Sequence, residues 1–218
     1  MKSVTRRILA ILMTGCMLVT ASCSKSKEEE SPSETVSDST AEIEFVTNPD
    51  EPDLGAYTTS ALGTKLYYEP ENVSHELMLA LEKYFITFAE RDFETYKECV
   101  HPEYIKEMNE FLEAEHGYDI ETSFNSQCDN LSVNAGGDFR VSRIRAELPE
   151  EINPAVCLDY LNEFFETESF YETINNSADA LHHLVFYVMS DADGEETLLI
   201  SEFEIVFAEI DGKYYTFG

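Results

Sequence analysis

The chain is poor in positive charge. Against 44 Asp and Glu it carries 14 Lys and Arg, for a net charge of −30. That balance excludes nucleic acid as a partner, because nucleic-acid binders present a basic surface. It also excludes peripheral adsorption to anionic lipid, which attracts basic segments. Tryptophan is absent, and none of the five cysteines stands in a C-x-x-C or similar metal spacing. No cofactor or metal is therefore expected. No uncharged apolar run reaches the ~20 residues that a membrane-spanning helix needs, and no internal repeat is present.

What the chain does have begins at its N-terminus. Lys2, Arg6 and Arg7 form a basic head, followed by an uncharged and mostly apolar run over residues 8–22. A basic head and a short apolar run make the pattern of an export signal. The run ends in Val19-Thr20-Ala21-Ser22-Cys23, which resembles the lipobox of bacterial lipoproteins, with Thr20 where that family usually carries Leu. The resemblance implies a signal peptide over 1–22, acylation (palmitate among the chains) of Cys23 as the mature N-terminus, and anchoring at the extracytoplasmic face of the cell membrane. Met13-Thr14-Gly15-Cys16 is a second possible box, but cleavage there leaves an apolar core of about five residues, below the usual length of about 7–15. The alternative is an ordinary secretory signal with an incidental cysteine. Cleavage before Cys23 removes three basic residues and no acid, taking the net charge from −30 to −33.

Residues 23–71 read as a tether. Their first two-thirds are mostly Ser, Thr, Glu, Asp and Pro, with few apolar residues and no period. Such a segment buries too little surface to offset its ordering entropy, so a disordered, self-repelling spacer is expected. Residues 43–46 are the one candidate for a short strand there.

Residues 72–218 are long enough for one domain with its own core. Ser74 and Asp92 are expected to cap helices over residues 74–90 and from residue 93, the first with Leu77, Leu81, Phe85 and Phe88 at helical spacing. Pro102 opens a third helix ended by Gly117, and a weaker helix spans residues 120–131. A strand over 139–148 and a long helix over 154–170 follow, the helix with a stripe of Val156, Cys157, Tyr160, Leu161, Phe164 and Phe165. Strands over 180–190, 197–210 and 213–217 close the chain, with Asp193-Gly194 and Asp211-Gly212 as turn signals. Helices first and a meandering sheet after them give an α+β fold.

This order resembles the nuclear transport factor two-like superfamily, which includes the SnoaL-like and ketosteroid isomerase-like proteins. The resemblance rests on Tyr84-Phe85, Phe88 and Arg91-Asp92-Phe93, on His101-Pro102-Glu103-Tyr104, and on the closing Glu209-Ile210-Asp211-Gly212-Lys213-Tyr214-Tyr215. It implies helices packed on a curved antiparallel sheet, forming a cone that can hold a ligand. Enzymes of the superfamily use Asp, His and Tyr for acid–base work, but no catalytic motif matches residue by residue here.

The candidate ligand-binding residues are therefore argued from chemistry alone. His182 and His183 lie on opposite faces of one strand, and one of them, with Tyr84 or Tyr187 and a carboxylate such as Asp92, could form an acid–base pair. Arg140, Arg143 and Arg145 are three of only eight basic residues from residue 72 onward, and guanidinium forks suit carboxylate or phosphate. The plainer alternative is that they neutralise neighbouring acids. The acid-rich stretch 191–196 has its Gly too early for an EF-hand loop, and turn chemistry explains it. Cys99 and Cys157, in apolar helical stripes, are expected to be small buried residues, and at least one of Cys99, Cys128 and Cys157 is unpaired within the chain.

Together these features predict a membrane-anchored lipoprotein that binds an unidentified small molecule or protein and is not an enzyme. The alternatives are a small isomerase or hydrolase using His182 or His183, and a structural role in a surface assembly. An open interior of at least ~300 Å³ would suit a small ligand, and a filled one an interaction role.

Overall fold

The computed structural model describes residues 43–165 and 169–218. The signal segment, Cys23 and the tether up to residue 42 lie outside the described residues. No helix among the described residues is long and apolar enough to cross a membrane.

The helices start and stop where side chains satisfy free backbone groups. Helix α1 (His75–Glu90) begins with Ser74 Oγ accepting the Leu77 N–H and ends at Arg91, which adopts the left-handed conformation at φ 57°. Helix α2 (Phe93–Cys99) is capped by Asp92, which accepts the Thr95 N–H at 3.0 Å. Helix α3 (Pro102–His116) has Pro102 in its first turn and Gly117 as its C-cap. Helix α4 (Ile120–Ala135) runs four residues past its expected end at Leu131, with Gly136 as its cap.

The long helix expected over 154–170 is corrected. In its place stand α5 (Pro154–Asp159), α6 (Asn162–Phe165) and α7 (Phe170–Asn175). The reason is the burial pattern. Val156 and Tyr160 are exposed, whereas Leu158, Leu161 and Ile174 are fully buried. The Leu161 N–H closes on Leu158 O, a tighter turn that interrupts the helix between α5 and α6.

One seven-stranded sheet runs in sequence order: β1 (Val46–Thr47), β2 (Ala56–Thr59), β3 (Lys65–Tyr67), β4 (Arg140–Glu147), β5 (Ala180–Ala192), β6 (Glu195–Ile210) and β7 (Lys213–Tyr215). The expected unstructured segment through residue 71 is thus corrected from Ile43 onward. Strand β3 pairs parallel with β4, matching Leu66 to Ile144, so the sheet is mixed and not wholly antiparallel. Leu66, Tyr67 and Tyr68 are buried there, and Glu51 pairs with Arg143 at 3.1 Å. Core contacts and ladder hydrogen bonds from strands distant in sequence outweigh the poor local propensity.

The closing strands pair antiparallel in chain order. Both hairpins turn on Asp-Gly pairs with positive φ at both residues, Asp193 at 54° and Gly194 at 85°, then Asp211 at 51° and Gly212 at 71°. That is the two-residue turn whose twist matches paired strands.

Helix α1 packs on the sheet face that carries Phe186, with Phe85 and Phe186 rings 5.1 Å apart. Behind them Tyr84, Phe88, Tyr96 and Phe124 are almost wholly buried and in mutual ring contact, Tyr96 and Phe124 at 4.7 Å. This interior is filled by its own aromatic side chains. On β6, the consecutive residues Ile205, Val206, Phe207 and Ala208 are all buried. A strand buries successive residues only when both faces are covered. Helix α5 supplies the second cover, on the face that carries His183.

Candidate functional site

The strongest constellation of reactive side chains lies under α5. Pro154 sets the helix start, and Cys157 falls in its first turn. His183 and Glu204 come from adjacent strands. His183 pairs with Val206, and Glu204 pairs with Val185, so the two are diagonal neighbours on one face. His183 Nε2 lies 3.0 Å from Glu204 Oε2 and 3.2 Å from Cys157 Sγ, and Sγ lies 3.4 Å from the same Oε2. The His183 side chain is 2% exposed, and that of Glu204 50%. The cluster is buried at its histidine and open at its carboxylate.

The other ring nitrogen fixes the tautomer. His183 Nδ1 accepts the Asn153 backbone N–H at 3.1 Å. The ring therefore carries its proton on Nε2, which donates to Glu204. Burial pushes the Cys157 thiol up to about 12, and the hydrogen bond and charge of Glu204 add to the shift. The thiol stays protonated at neutral pH.

These contacts decide what chemistry the cluster can do as it stands. A nucleophile–base–acid triad places the nucleophile on one ring nitrogen and the orienting carboxylate on the other. Here Cys157 and Glu204 share Nε2, and Nδ1 is taken by the backbone. The thiol also lacks the electropositive surroundings that make a cysteine nucleophilic. As a metal-free arrangement, the cluster is a hydrogen-bonded staple that joins α5, β5 and β6.

The other sequence candidates lie elsewhere, and they are not gathered into one site. His182 bonds Glu209 at 3.0 Å and packs against Tyr214. Arg140 pairs with Asp191, and Arg145 pairs with Glu147 at 2.9 Å and lies over the Tyr187 ring. Arg143 bridges Glu51 and Glu196 at 3.1 and 2.9 Å over the Tyr67 ring. All three guanidinium groups are engaged by the chain's own carboxylates. Asp92 is occupied as a helix cap, and Tyr84 is sealed in the aromatic interior.

The three domain cysteines are free. Cys99 is buried as expected, and Cys128 is buried as well. Cys157 is only half-buried, and its neighbours His183 and Glu204 are polar rather than an apolar stripe. Sequence reasoning singled out His183 but missed Cys157 and Glu204 as its partners. Plain counting from the Asp193-Gly194 turn sets His183 opposite Glu204, and the register shifts between Phe186 and Met189 leave the two as diagonal neighbours on the same face.

A shallow groove of about 160 Å³ runs along α1, lined among others by Leu62, Leu79, Ile86, Lys83 and the acidic Glu82, Glu90 and Asp92. It lies outside the aromatic interior and is smaller than the ~300 Å³ typical of small-molecule sites. No protein family matches the chain, and no curated protein or solved structure is similar to it beyond chance.

Proposed function

We propose that this protein is an extracytoplasmic lipoprotein, held at the membrane by acyl chains on Cys23, whose folded domain binds a partner protein and does no catalysis. The observation that carries the binding half is the aromatic filling between α1, α2, α4 and the sheet. It fills the space between these elements with the chain's own rings and directs recognition to the surface. Lys83, Arg91, Lys97, Lys106, Arg140, Arg143 and Arg145 all pair with the chain's own acids. The charge left over for a partner is negative, so a basic partner face fits best.

The anchor half rests on the basic head, the short apolar run and the small residues before Cys23. The run of helices α1–α4 ahead of the β5–β6–β7 meander supports assigning the domain a nuclear transport factor two-like shape, with its cone packed shut. Fractionation tests the anchor: replacing Cys23 by Ala is expected to move the protein from the membrane to the soluble fraction, and unchanged retention would overturn it. Cross-linking in intact cells tests the partner half. A discrete protein adduct that weakens as salt rises is expected. A small molecule that saturably shifts resonances of the core rings would instead overturn surface recognition.

A further inference from the structure

We propose that Cys157, His183 and Glu204 bind a divalent transition-metal ion of the zinc class, with one coordination position left open to solvent. Sγ, Nε2 and Oε2 form a triangle with edges of 3.2, 3.0 and 3.4 Å, one corner from each of α5, β5 and β6. An ion at bond lengths of about 2.0–2.3 Å sits about 1 Å above such a triangle, and opening each edge by ~0.3 Å gives tetrahedral angles. No strand has to move. The donor set of one sulfur, one nitrogen and one oxygen suits zinc or cobalt, whereas calcium and magnesium take oxygen ligands. Half-exposed Glu204 provides the way in, and buried His183 provides the rigid corner.

The Asn153 N–H is the feature that opposes binding, and it gives the site its signature. Nε2 must present its lone pair to the ion, so the ring proton moves from Nε2 to Nδ1. The Asn153 N–H then loses its acceptor. The Cys157 thiol gives its proton to solvent as the sulfur–metal bond forms, one proton released per ion bound. Asn153 makes no side-chain cap on α5, so the start of that helix is free to shift when its backbone bond is broken. The loss is one hydrogen bond, against three coordination bonds that include a thiolate. Metal binding is therefore coupled to a rearrangement of residues 153–157.

The test is titration of the purified full-length protein with Co(II) and then Zn(II). A thiolate-to-cobalt charge-transfer band at one equivalent is expected, displaced by Zn(II), with release of one proton and a change at the Asn153 amide resonance. Cys157→Ser should abolish the band and weaken Zn(II) binding at least ~100-fold. Glu204→Gln replaces a ligand and should weaken binding at least ~10-fold, the lower end of what losing even a supporting group costs. His182→Ala should leave it unchanged. Glu204 is half-exposed, so its variant keeps the test decisive should Cys157→Ser fail to fold. No band, a band that survives Cys157→Ser, or equal binding by Glu204→Gln would each overturn the site and leave the cluster as a hydrogen-bonded staple only.

Discussion

Replacing Phe124 by Ala separates a filled interior from a ligand cup. The Phe124 side chain is 1% exposed and touches the rings of Tyr96, Phe88 and Phe93 at 4.7, 5.2 and 5.5 Å. A buried Phe covers roughly 150–250 Å², which at about 25 cal/mol per Å² comes to roughly 4–6 kcal/mol. Part of that area remains buried by the alanine, and measured truncations of this kind cost about 3–5 kcal/mol. For a domain of this size the loss lowers the melting temperature by about 6–20 °C. Urea unfolding of the two proteins measures it, with the slope of the transition unchanged if only packing is lost. The void left behind is apolar, so benzene should restore part of the loss. Were these rings the wall of an open cup, truncation would only widen it. A cost below about 1 kcal/mol, with no response to benzene, would refute the reasoning.

Other consequences follow from single contacts. Ser74→Ala removes the cap on the Leu77 N–H and should cost about 0.5–2 kcal/mol in the same assay. Native Cys157 should react slowly with a thiol reagent at pH 8, its rate still rising with pH towards about 12. Glu204→Gln should speed that reaction, because removing the anion beside the thiol makes it more acidic. Arg143 holds the Glu51 carboxyl below its usual range. A lowered carboxyl stabilises the fold above the unfolded value near 4.5, and that contribution is lost as pH falls through the lower folded value. The protection of residues 43–54 against amide exchange, taken relative to the intrinsic rate at each pH, should therefore fall on acidification, and Glu51→Gln should lower it in the same way at neutral pH.

The parts of the fold legible in the sequence were those written in local chemistry. Ser74, Asp92, Pro102 and Gly117 mark helix ends through contacts within a turn or two, and both Asp-Gly pairs mark the hairpins they form. Strands β2 and β3 were not legible, because β3 is held by β4, more than 70 residues further on, and β2 joins the sheet only through β3 and the two-residue β1. Residues such as Thr58 and Thr64 are polar by composition yet buried in the sheet. The break in the expected helix over 154–170 was hidden for a related reason. Val156 and Tyr160 fit a helical stripe with Leu161, but the interior takes Leu161 together with Leu158 and leaves Val156 and Tyr160 exposed.

The Cys157 cluster shows a third kind of illegibility. Plain counting from the hairpin sets His183 opposite Glu204. Register shifts between Phe186 and Met189, with Glu202 at φ 51°, move the partner to Val206. The two residues stay on one face only because the slip totals two residues, since a slip of one would have reversed every side chain. Nothing local marks Cys157 as the residue that completes them.

The central claim is that the domain's interior is its own core and not a binding chamber. Xenon enters apolar cavities that water leaves empty, so NMR of the protein under xenon pressure tests the claim directly. The account predicts no saturable shift at Leu77, Phe88, Phe124 or Phe186. Saturable shifts centred on those four residues would contradict it.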